Sequence, residues 1–87
     1  MNKTLAAVSD GTRLKMLRLL ARGELCACVL PRHVGTSQPA VSQHLKVLKS
    51  SHIVTDERRG QEVFYTVDTE HTLALLKVLV NEMNKKS

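Results

Sequence analysis

Apolar residues recur along this chain at two different spacings. From Thr12 to Arg22, Leu14, Leu17, Leu20 and Ala21 fall on one stripe and Arg13, Lys15, Arg18 and Arg22 largely outside it, which predicts a helix that buries one face. Asp10 or Ser9 is placed to cap this helix, and Gly23 to end it in a left-handed turn. Leu5, Ala6 and Val8 begin a shorter helix upstream, interrupted at Ser9-Asp10-Gly11. Val41, Leu45 and Leu48 recur at i, i+4 and i+7 in a segment that Thr36 or Ser37 can cap. Pro39 falls early enough there for its missing N–H to cost little. Cys28 to Val34 reads as a short helix, with Gly35-Thr36 as the tight turn between the two. The spacing then shortens, so that Ile53 to Glu57 and Gln61 to Val67 read as strands around Arg58-Arg59-Gly60. A last helix, about 69–84 and capped by Asp68 or Thr69, has apolar residues around much of its circumference.

These elements predict a single domain over 1–87, mainly α with a small β-hairpin: a winged helix-turn-helix. The helix-turn-helix covers about 28–50, the wing about 53–67 and the C-terminal helix about 69–84. A helix as apolar as the last one is covered on two sides, and in so short a chain the economical cover is a second copy. Leu73, Leu76, Leu79, Val80 and Met83, with Leu5 and Val8 alongside, are the expected contact of a homodimer. A two-fold dimer would present two recognition helices to an inverted repeat.

Charge and composition point to the partner. Thirteen Lys and Arg against eight Asp and Glu give a formal charge of +5, which favours polyanions. One Phe, one Tyr and no Trp argue against a base-stacking surface for single strands, leaving duplex DNA. The polar face of the second helix supplies Ser37, Gln38, Ser42, Gln43, Lys46 and Lys49 as base-edge or phosphate contacts, and the wing supplies Arg58, Arg59 and Gln61. His44 borders the apolar stripe, so a partly buried place or a phosphate hydrogen bond suits it better than base readout. No apolar run is long enough to span a bilayer, and Met1-Asn2-Lys3-Thr4 leads into an ordinary helical pattern, so the expected location is the cytoplasm. The sequence offers no activated nucleophile, paired carboxylates or phosphate-cradling loop of an enzyme. A competing reading is a protein-interaction module that docks through the C-terminal helix.

The order Ser9-Asp10-Gly11-Thr12-Arg13-Leu14, Gly23-Glu24-Leu25-Cys26-Ala27-Cys28, Ser37-Gln38-Pro39-Ala40-Val41-Ser42-Gln43-His44-Leu45, with the Arg58-Arg59-Gly60 hairpin ending at Phe64-Tyr65, resembles the ArsR/SmtB family of winged-helix repressors. The resemblance covers nearly the whole chain. It implies a homodimer that represses from operator DNA and lets go when a metal or metalloid ion binds. Cys26-Ala27-Cys28 resembles the inducer site of the arsenic-sensing branch, which implies As(III) or Sb(III) as the inducer and no obligatory cofactor. The family's other metal site is degraded here, since the matching positions are Thr69, His71, Glu82 and Lys85, and Lys85 would repel a cation.

Two cysteines one residue apart make a poor disulfide framework and read as free thiols or metal ligands. In a regular helix residues two apart point about 200° away from each other, so both thiolates reach one ion only if the first turn is unwound or not yet formed. Ion binding is then expected to compete with the local fold and tilt the recognition helix. Val29 follows where some members of the branch have an acidic residue, and there is no third thiol, so two sulfurs plus a solvent or small-molecule ligand are expected. A thiol redox switch and a simple packing role are the alternatives for this pair.

Overall fold

The computed structural model describes Ala7 and residues 10–85, without the side chains at 79, 83 and 85. Leu5 and Val8 therefore lie outside the described residues, as do the side chains of Leu79 and Met83. Asp10 opens α1 (Gly11–Leu20) by accepting from the Thr12 and Arg13 backbone N–H groups at 2.8 and 3.0 Å. Those bonds favour the ionised carboxylate, and its pKa is lowered chiefly by the Arg13 N–H. The buried face of α1 is Met16 and Leu20, whereas Leu14 is 40% exposed. The expected Leu14–Leu17–Leu20 stripe is thus rotated, because packing against the other helices selects the ridge that carries Met16.

Next come β1 (Leu25–Cys26), a 3₁₀ turn over Ala27–Val29 and α2 (Leu30–Val34). Gly35 then reverses the chain at φ 72°, and its N–H closes onto Pro31 O at 2.9 Å. The second helix of the helix-turn-helix, α3 (Gln38–Ser50), starts where expected, with Ser37 accepting from the Ala40 N–H at 3.3 Å. Val41, Leu45 and Leu48 are its buried residues. Its end is less readable from sequence. His52 takes φ 61° and donates to Lys49 O, while the Ile53 N–H donates to Leu48 O, both at 3.0 Å. This is a Schellman closure with histidine in the usual glycine place, secured by the burial of Ile53 beside Leu48.

The wing is β2 (Val54–Arg59) and β3 (Glu62–Val67), joined through Gly60 at φ 64° and Gln61. Two expectations are corrected here. Arg58 and Arg59 are strand residues opposite Val63 and Glu62 and not the hairpin tip, because antiparallel pairing continues to the last residue before Gly60. The sheet also has three strands, ordered β1-β3-β2, since Leu25 pairs with Tyr65 and Cys26 with Phe64. Directly paired residues share a face, so Leu25, Tyr65 and Val67 pack toward the core while Cys26, Phe64, Glu62, Glu57 and Arg59 lie on the outer face.

Asp68 caps α4 (Thr69–Lys85), accepting from the His71 N–H at 3.0 Å. This helix carries exposed Leu73, Leu76 and Val80 on one face and exposed Val78 on another, apolar area that the rest of the described chain leaves uncovered. No helix of the described residues is long and apolar enough to cross a membrane.

Candidate nucleic-acid interface and cysteine site

On α3, the three buried residues lock one side of the helix, so Gln38, Ser42, Gln43, Lys46 and Lys49 are left exposed on the other. The Ser42, Gln43 and Lys46 side chains have no hydrogen bond among the described residues and are available to a ligand. His44 is half-buried beside the apolar stripe. Ser37 spends its hydroxyl on the cap.

Lys49 is tied to Asp56 of β2 at 2.8 Å, and this hydrogen bond pushes the Lys49 pKa up. Asp56 lies opposite Tyr65, whose hydroxyl pKa is raised chiefly by burial. At the wing, Arg59 forks onto both oxygens of Glu24 at 2.7 and 2.8 Å and also reaches Glu57 at 3.0 Å. Its guanidinium stands 4.6 Å from the centroid of the Phe64 ring. The Glu57 and Glu24 bonds push the Arg59 pKa further up, and Arg59 in turn holds Glu57 below the usual carboxylate range. Two of the cations expected to meet DNA are therefore each paired with carboxylates of the same chain, which charge counting along the sequence does not reveal. Arg58 has no ion pair among the described residues, its Nε donating to Gly60 O at 3.3 Å. Gln61 sits exposed in the turn.

The cysteines lie at the other edge of the same sheet. Cys26 is extended, at φ −67° and ψ 138°, and its sulfur accepts the Cys28 N–H at 3.3 Å. The pair opens a 3₁₀ turn and the α-helix starts only at Leu30, two residues later than the expected start at Cys28, so the first α-helical turn is not yet formed at the cysteines and their side chains already converge. The Cα atoms of Cys26 and Cys28 stand 5.2 Å apart and the two sulfurs meet in a disulfide; the expected role as free thiols or metal ligands belongs to the reduced pair.

Sequence reasoning missed Glu62. Its Oε2 lies 3.8 Å from Cys26 Sγ, and the two sulfurs and a Glu62 oxygen all fall within 4.8 Å of one another. An open cavity of about 260 Å³ beside them is lined by Cys26, Cys28, Gln38, Gln61 and Glu62, so it touches both the first residue of α3 and the wing turn.

Residues 10–56 match the family described as bacterial regulatory protein, arsR family. The chain is 35% identical to the transcriptional repressor SdpR of Bacillus subtilis over 85 residues, 98% of this chain and 94% of that protein. It is 38% identical to the arsenical resistance operon repressor of Staphylococcus aureus over 80 residues, 92% of this chain and 73% of that one. Among solved structures, the homodimeric winged helix-turn-helix DNA-binding domain Mb0332 from Mycobacterium bovis superposes with a TM-score of 0.76 at 28% identity, covering 98% of this chain and 82% of that one.

Proposed function

The chain belongs to the arsR family of bacterial regulatory proteins, and from that membership we propose that it is a homodimeric repressor bound to inverted-repeat duplex operator DNA and released when arsenite or antimonite binds Cys26 and Cys28. The observation that carries the DNA half is the unpartnered Ser42, Gln43 and Lys46 row on α3, together with the exposed Arg58 of the wing, which has no ion pair among the described residues. A helix of this width fits the major groove, its amide and hydroxyl groups facing base edges and the wing cation facing phosphate. The sensing half is supported by the converging sulfurs and by the likeness to an arsenical resistance operon repressor. Soft thiolates suit a trivalent metalloid.

Fluorescence anisotropy with duplex DNA from the protein's own promoter tests both halves. The reduced wild type should bind tightly and be released by arsenite, whereas Cys26→Ser/Cys28→Ser should bind equally well and stay bound. Binding indifferent to every thiophilic ion would refute the sensing half. In the same assay, Arg58→Ala should reduce the slope of log affinity against log salt by about one, the effect of losing one phosphate contact. Arg59→Ala should change it less, because Glu24 and Glu57 already hold that charge.

The Cys26–Cys28 disulfide favours a second reading, a redox switch in which the two thiols give two electrons and two protons to a peroxide-class oxidant. Operator affinity that changes with a thiol reductant, without any ion, would select it.

A further inference from the structure

We propose that Glu62 is the third protein ligand of the reduced Cys26/Cys28 site, which thereby takes a thiophilic divalent cation such as Cd²⁺ and ties it to the wing. This rests on the reading of the cysteine pair as a sensor and adds to it a residue, a class of ion and a route to the DNA-facing elements.

Sheet register places the residue. Cys26 pairs with Phe64, so Glu62, two positions along β3, projects from the same outer face as Cys26. Its carboxylate oxygen comes within 3.8 Å of Cys26 Sγ, and the three donor atoms span no more than 4.8 Å, a spread that one ion can bridge. Glu62 makes no ion pair among the described residues, although Arg59 stands opposite it in the register. That guanidinium is engaged by Glu24 and Glu57, which leaves the Glu62 charge directed at the sulfurs.

The donor set selects the ion. On binding, the two thiols lose their protons to solvent, and two thiolates with one carboxylate carry three negative charges. A divalent cation of borderline-soft character accepts both sulfur and carboxylate oxygen, with a solvent molecule completing the shell. A trivalent metalloid draws its affinity from sulfur and gains little from the oxygen. Capturing Glu62 anchors the ion to the first residue of β3, opposite Arg59, while Gln38 at the start of α3 lines the same cavity. The bound ion is thus tied to the wing through Glu62, in a cavity that Gln38 of α3 also lines, without any unwinding of α2.

The test is titration of the reduced full chain with Cd²⁺ alone, read by thiolate-to-metal charge-transfer absorption, and separately with arsenite. The proteins are wild type, Glu62→Gln, Glu70→Gln as a charge control on exposed α4, and Cys26→Ser/Cys28→Ser, each checked for folding by far-ultraviolet circular dichroism. Glu62→Gln should weaken Cd²⁺ by about tenfold or more, the loss that removing even an outer partner of a metal site causes. Arsenite affinity should be unchanged by Glu62→Gln, and Glu70→Gln should leave both ions unaffected. Unchanged Cd²⁺ affinity in Glu62→Gln, or an equal loss in Glu70→Gln, would overturn the ligand assignment while leaving the cysteine sensor standing. Wild type that binds neither ion better than the double serine variant would overturn the sensor reading itself.

Discussion

Leu76→Glu combined with Val80→Glu is expected to turn a dimer into a monomer and to lower operator affinity by about 10²–10⁴-fold, the gain that linking two binding modules confers. The two residues lie four apart on α4, on one face of the helix, and are 40% and 53% exposed. With Leu73 they border an open apolar groove of about 530 Å³. In the proposed homodimer this face meets a second copy, which covers apolar area that the described chain leaves exposed. A two-fold contact doubles the insertion to four carboxylates within one desolvated interface, so the cost of burying unpaired charge adds to the lost apolar burial. A single half-site contact by one α3 remains, which is why the loss falls on affinity and not on sequence preference. Light scattering behind size exclusion reads the mass, anisotropy reads the affinity, and far-ultraviolet circular dichroism separates dissociation from unfolding. A double variant that stays dimeric would place the interface elsewhere.

Met16→Ala should cost about 2–5 kcal/mol of folding stability, and Leu14→Ala no more than about 0.5 kcal/mol. Met16 is fully buried in the cluster that also holds Leu20, Leu30, Leu45 and Leu48, where truncation leaves a cavity that close-packed neighbours fill only in part. Leu14 is 40% exposed and has little burial to lose. Since small domains are stable by roughly 5–15 kcal/mol, the first change removes a large share of the total. Urea unfolding followed by circular dichroism measures both, a shift in midpoint at constant slope reporting stability alone. Equal losses at the two positions would mean that α1 packs on the ridge containing Leu14.

These two residues also mark a limit of reading periodicity. Leu14, Leu17 and Leu20 make as good a stripe as the ridge the protein uses, and a helix does not state which of two adjacent ridges it will bury. Where a local signal is unambiguous, it holds. Ser37, Pro39 and the Val41–Leu45–Leu48 spacing define α3, because capping and 3.6-residue periodicity act within a few residues. Gly35 and Gly60 mark the two reversals, because a positive φ is easiest for glycine. At His52 the same backbone need is met by histidine, and only the burial of the next residue accounts for it.

The sequence by itself determined the winged helix-turn-helix, the polar face of its recognition helix and the presence of a paired-cysteine motif. Each is written in neighbouring residues, through caps, turns and repeat spacing. Tertiary structure alone decided the third strand at Leu25–Cys26, the pairing of Arg59 with Glu24 and of Lys49 with Asp56, and the meeting of Glu62 with the two sulfurs. A two-residue strand is too short to show a period, and the other contacts join side chains brought together by strand register and helix packing. Their energies depend on distance in space, to which spacing along the chain is blind.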